Sequence, residues 1–127
     1  MIQRLLPYVL VGAGGFVGAN ARYLVARWVG SAVDARFPLG TFLINVSGSF
    51  LLGLLGALLA ERFVPHADGL RLALGVGFLG AFTTFSTFEY ETERLTEAGT
   101  VLWAGVNVVT SVVAGFVAVR LGVAVAR

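Results

Sequence analysis

The chain has 127 residues, 57% of them apolar and 13% charged, with a net charge of +2 and a mean hydropathy of +0.89. A water-soluble domain of this size covers itself with charge, average usage being about 25%, so a soluble catalytic module is excluded. The absence of cysteine excludes a disulfide framework, a thiol nucleophile and a cysteine metal site. About 20 largely apolar residues cross a bilayer as a helix, and four stretches qualify: 8–29, 39–60, 70–90 and 100–121. The sequence therefore predicts a single all-α transmembrane domain over 1–127, built from four helices.

The first stretch begins after Arg4, and "ANA" at 19–21 imitates a signal-peptidase site. Gly12, Gly14, Gly15 and Gly18 break the apolar run, however, and it resumes after Arg22 as "YLVARWV". Retention as a membrane helix is expected. Gly14 and Gly18 have the spacing that lets membrane helices approach closely. Arg22, near the end of the span, serves either as an interface anchor or as a charge at a vestibule. "VGSAVDARFP" then reads as a loop.

The second stretch carries Thr41, Asn45, Gly48, Ser49, Gly53 and Gly56. The glycines and serines suit close helix packing. Asn45 is different, because an unpaired amide inside a span is costly, and it points to a wet path. "ERFVPHADG" follows as a second loop, in which the single histidine, His66, is expected to be solvated.

The third stretch contains "GFLGAFTTFSTFEYETE", 77–93. Gly75, Gly77 and Gly80 precede Thr83 and Thr84, and both residue types weaken a helix. A broken third helix is expected near Gly80–Thr84. Carbonyls freed at membrane depth must be buried in protein, line a cavity or hold a cation. Beyond the break, Phe85 and Phe88 share one helix face, and Thr83 and Thr87 share another. Aromatic ring edges carry positive charge, so edges, hydroxyls and the Asn45 amide together suit passage of a small anion. Such a conduit replaces hydration water with donors while binding weakly enough to release the ion. The glutamates at 89, 91 and 93 are expected at a solvated helix end.

The fourth stretch places Asn107, Ser111 and Gly115 at i, i+4 and i+8, with Thr110 beside them. Four spans would divide the arginines five against four: Arg4, Arg62, Arg71, Arg120 and Arg127 on one side, and Arg22, Arg27, Arg36 and Arg94 on the other. Orientation normally follows an excess of basic residues in cytoplasmic loops. Without that excess a chain can insert both ways round, and two copies can pair antiparallel. The arginines are scattered rather than clustered, which argues against nucleic acid, and no nucleotide motif is present.

"GxGGxxGAxxRY" at 12–23, "GTFLINVSGSFLLG" at 40–53, "GFLGAFTTFSTFEYE" at 77–91 and the "NVVTS" of the fourth stretch resemble the Fluc/CrcB family of fluoride channels. The resemblance covers nearly the whole chain, and the third motif is highly specific. It implies a dual-topology antiparallel homodimer in the lipid of the cell membrane, with two pores that export cytoplasmic fluoride passively. It also implies a structural sodium ion, not transported, held at the dimer centre by backbone carbonyls that match Gly80 and Thr83. Phe85 and Phe88 match the pore-facing aromatic pair, Asn45 the pore asparagine and Arg22 the first-helix arginine. Ser86 and Thr87 match a hydroxyl track, to which Ser111 contributes from the fourth helix. Many relatives have Gly-Gly where this chain has Gly80–Ala81, and some place tyrosine where Asn107 stands. Two other readings fit a small four-helix chain: a dual-topology multidrug or cation exporter, and a structural membrane subunit. The exporter needs a carboxylate inside the membrane, and the apolar runs of the first, second and fourth helices contain none.

Overall fold

A computed structural model describes residues 2–61 and 65–127; Arg62, assigned above to a connecting loop, lies outside the described residues. The described residues are helical, with no strand among them. The elements are α1 (Ile2–Ala32), α2 (Leu39–Glu61), α3 (Ala67–Leu70), a π-helical segment (Arg71–Leu79), α4 (Gly80–Phe82), α5 (Phe85–Glu97) and α6 (Val101–Ala126). Four helical runs are long and apolar enough to cross a membrane: Arg4–Ala32, Leu39–Ala60, Ala67–Glu97 and Val101–Ala126. At about 1.5 Å per residue, even the 22 residues of the second exceed the ~30 Å hydrocarbon thickness. The helices also continue past the apolar windows. Hydropathy marks only the lipid-crossing portion, whereas backbone hydrogen bonding carries on into polar ends such as "ETERLTE".

Packing follows the small residues. α2 lies along α6, and α1 lies along the π-helical segment and α4, while α5 rests on α6. Gly14 and Gly18 of α1 sit directly against the backbone of Ala73 and Phe78. The buried core is correspondingly thin: Ile44, Leu79, Phe82 and Phe88 with Ala57, Ala104 and Ala118. Large apolar residues such as Phe16, Leu102, Val109 and Phe116 are exposed. In water so much apolar surface drives aggregation; in a bilayer it is ordinary lipid-facing surface.

His66 lies in an exposed turn at φ 61°. The turn from α5 to α6 is closed by a Schellman arrangement. The Thr100 N–H donates to the Leu95 carbonyl (2.9 Å) and the Gly99 N–H to the Thr96 carbonyl (3.0 Å). Gly99 takes φ +74°, where a β-carbon is unfavourable. Gly99→Ala is therefore expected to lower stability by about 1 kcal/mol. Gly99→Asn is expected to cost less, because asparagine tolerates the left-handed region. Unfolding midpoints in detergent micelles check this ordering.

Candidate functional site

The site starts from a change in backbone at the end of α4. Thr83 has φ −77° and ψ 156°, and Thr84 has φ −151° and ψ 114°; both are extended. Helical bonding would send the Thr84 N–H to the Gly80 carbonyl and the Thr87 N–H to the Thr83 carbonyl. Instead the Thr84 N–H donates to Asn45 Oδ1 at 2.8 Å, and the Thr87 N–H donates to Thr84 Oγ1 at 3.3 Å. Asn45 Nδ2 donates in return to the Thr84 carbonyl at 3.0 Å. A primary amide has the donor and acceptor of a peptide group side by side, so Asn45 pairs with Thr84 as a neighbouring strand residue would. By accepting from the Thr87 N–H the Thr84 hydroxyl caps α5, and it donates in turn to Thr87 Oγ1 at 2.9 Å.

Gly48, one turn from Asn45, allows this approach. A β-carbon there would overlap Thr83 Cγ2 and crowd the Phe82 ring. With glycine at this position α2 approaches Thr83 without displacing its methyl group.

A cavity of about 340 Å³ opens beside the Asn45–Thr84 pair. Its walls include Asn45 and Ser49 of α2, Gly80, Thr83 and Thr84, the rings of Phe85 and Phe88, and Ser111 of α6. Of the residues singled out in the sequence, the fold thus brings together Asn45, Gly80, Thr83, Phe85, Phe88 and Ser111. It does not bring Arg22, Ser86 or Thr87 to the cavity wall. Arg22 is half-buried on α1, Ser86 is exposed, and Thr87 is exposed and tied to Thr84. The two rings are tilted at 46°, with centroids 5.7 Å apart. They differ in environment: Phe88 is 6% exposed and Phe85 is 73% exposed in the single chain.

A directed hydrogen-bond chain supports the far wall. Thr92 Oγ1 donates to the Phe88 carbonyl at 2.8 Å. It can then only accept from Asn107, whose Nδ2 lies 2.9 Å away. The Asn107 Oδ1 consequently faces Ser111, and Ser111 Oγ donates to it at 3.2 Å. Asn107 is 1% exposed, and its amide nitrogen and oxygen each have a partner, as expected of a buried amide. It ties α6 to α5 rather than facing the cavity.

One expectation is corrected. Glu91 is not solvated: it is half-buried, it accepts from Thr41 Oγ1 at 2.9 Å, and its Oε2 is buried without a partner among the described residues. The reason is helix phase. Glu91 lies three residues after buried Phe88 and so points inward, whereas Glu89 and Glu93 point out and are exposed. The sequence reading also missed Thr84 and Ser49 as wall residues. The hydroxyl of Thr84 before the Phe85 run is an N-cap signal that could have been used.

Comparison with known proteins matches residues 9–123 to the family described as CrcB-like protein, Camphor Resistance (CrcB). A protein of Solibacter usitatus named "Fluoride-specific ion channel FluC" is 49% identical over 123 residues, covering 96% of this chain and 99% of the relative. "Fluoride-specific ion channel FluC 1" of Streptomyces avermitilis is 50% identical over 119 residues, covering 93% and 94%. A Geotalea daltonii protein of the name "Fluoride-specific ion channel FluC" is 45% identical, covering 94% and 95%. These relatives are named as ion channels rather than enzymes. With its four membrane-crossing helices, the chain is a multi-pass protein of the cell membrane.

The geometry of Asn45 sets a graded expectation. Asn45→Leu leaves both the N–H and the carbonyl of Thr84 unpaired, at about 1–3 kcal/mol each where they stay dry, so a loss of at least about 2 kcal/mol is expected. Asn45→Asp keeps the acceptor but sets a carboxylate against the Thr84 carbonyl, and should fall between wild type and Asn45→Leu. Unfolding midpoints of the purified variants check this, and an unchanged Asn45→Leu protein contradicts the pairing.

Proposed function

The chain belongs to the CrcB-like protein family, and from that premise we propose that it is a fluoride channel which lets cytoplasmic fluoride leave down its gradient. The observation that carries the reading is the cavity beside Thr83 and Thr84, walled by the Asn45 amide, uncharged hydroxyl residues and two aromatic rings. A bare anion in hydrocarbon costs tens of kcal/mol by Born estimates. Amides, hydroxyls and ring edges offset that cost without a fixed positive charge that would trap the ion. The names carried by the relatives agree.

The working unit in this reading is an antiparallel homodimer of dual-topology chains. The single chain leaves Phe85 73% exposed at the open side of the cavity, and a second copy would cover that side. The balanced arginines fit insertion both ways round. The third span works as a broken helix. The carbonyls of Gly80 and Thr83 fit a sodium ion, because the N–H groups that would bond them in a helix are directed to Asn45 and to Thr84 Oγ1. Carbonyl oxygens are hard donors suited to a hard cation, which would hold the two copies together and add a positive charge at the centre. Arg22 acts at the pore mouth, attracting anions, and Ser86 and Thr87 continue the hydroxyl track outside the cavity.

The test is fluoride efflux from liposomes holding the purified protein, read with a fluoride electrode. Wild type should release fluoride and retain chloride. Phe85→Ile and Phe88→Ile keep apolar bulk but remove the positive ring edge, and each should lower efflux by about tenfold or more, the factor for about 1.4 kcal/mol. A correctly folded wild-type protein that releases no fluoride contradicts the reading.

A further inference from the structure

Among the hydroxyls on the cavity wall, that of Ser49 alone has no hydrogen-bond partner among the described residues. Ser47, Thr92, Thr96 and Thr110 within the helices, and Thr83 just past the end of α4, each donate to the carbonyl four residues back. That back-bond is open to any helical serine or threonine, and at membrane depth it disposes of a proton that hydrocarbon cannot accept. Ser49 does not take it. Its hydroxyl lies against Gly115 of α6, half-buried on the cavity wall, with no hydrogen-bond partner among the described residues.

The other polar groups of the cavity have committed their protons. Thr83 donates to Leu79, Thr84 donates to Thr87, and Ser111 is held by Asn107, so it presents lone pairs to the cavity. An anion cannot be held by lone pairs. Two uncommitted side-chain donors remain on the wall: the Ser49 hydroxyl and the second N–H of Asn45, since Asn45 Nδ2 uses one hydrogen on Thr84. They stand at i and i+4 on one face of α2, about 6 Å apart along its axis.

We propose that Ser49 is an anion-contacting residue of the conduit, and that it and Asn45 form two successive donor steps along α2. This rests on the fluoride-channel reading above. It gives Ser49 a role that Ser47, two residues away, does not share, because Ser47 has its proton on its own helix.

The experiment compares Ser49→Ala with Ser47→Ala in the liposome efflux assay, across a range of fluoride concentrations. Ser49→Ala breaks no protein hydrogen bond, so its unfolding midpoint and its elution on gel filtration should match wild type. Its fluoride efflux should fall about tenfold, the factor that one hydrogen bond of about 1.4 kcal/mol corresponds to, with a higher half-saturating fluoride concentration. Ser47→Ala should stay within about twofold of wild type, as expected where no donor to the ion is lost. The chain has no cysteine, which permits a second variant, Ser49→Cys, probed with silver ion in a chloride-free fluoride medium. Silver should abolish the efflux of Ser49→Cys and leave wild type untouched. Wild-type efflux in Ser49→Ala, an unfolded or dissociated Ser49→Ala protein, or silver-insensitive efflux in Ser49→Cys would each overturn the assignment. Failure of the channel reading is distinguishable, because there the wild-type protein itself releases no fluoride, and the assignment falls with it.

Discussion

The pairing of the Asn45 amide with the backbone of Thr84 is the interaction on which the rest depends. Extended backbone is expensive at membrane depth because hydrocarbon offers no partner for a free N–H or carbonyl. One side chain from α2 satisfies both groups of Thr84, at 2.8 and 3.0 Å. With that pair made, the chain can leave helical geometry for two residues, cap a new helix with Thr84, and resume at Phe85. The cavity lies beside this interruption, walled by residues of the third span, α2 and α6. Gly48 completes the arrangement by letting α2 reach the extended residues.

Around that interruption the hydroxyl protons are ordered by bonds that begin elsewhere. The Phe88 carbonyl fixes Thr92, Thr92 fixes the Asn107 amide, and Asn107 fixes Ser111. Counting hydroxyls near a cavity therefore overstates its capacity for anions. What matters is which protons remain free after the protein has satisfied itself. The same chain joins α5 to α6, so the position of Phe88 is tied to a helix distant in sequence. The nine π-helical residues before α4 add a wider winding ahead of the extended pair, in a stretch where Gly75 and Gly77 offer little resistance.

Much of the architecture was legible in the sequence, because membrane helices are written in long apolar runs. Four such runs predicted four helical spans, and four candidate spans are present. Asn45 stood out because an amide inside a span demands a partner, but its partner is 39 residues away and no local spacing reveals that. Asn107 was legible as a polar residue inside the fourth span, whereas its role as a tie to Thr92 depended on how α5 packs on α6. Glu91 was misjudged because charge was read without helix phase; its distance of three residues from Phe88 was the available signal. Ser49 looked like one more small residue, and only its hydroxyl's lack of a partner among the described residues sets it apart. The structural sodium ion and the two-pore dimer are what the family resemblance implies.

The central claim is that the Asn45 side chain and the Thr84 backbone form one hydrogen-bonded unit inside the membrane. Solid-state NMR of the protein in lipid bilayers measures it directly, through the dipolar coupling between the Asn45 side-chain carbonyl carbon and the Thr84 amide nitrogen. The account predicts a separation of about 4 Å or less, as an N–H···O bond to that carbonyl requires. A coupling too weak for that distance would contradict it.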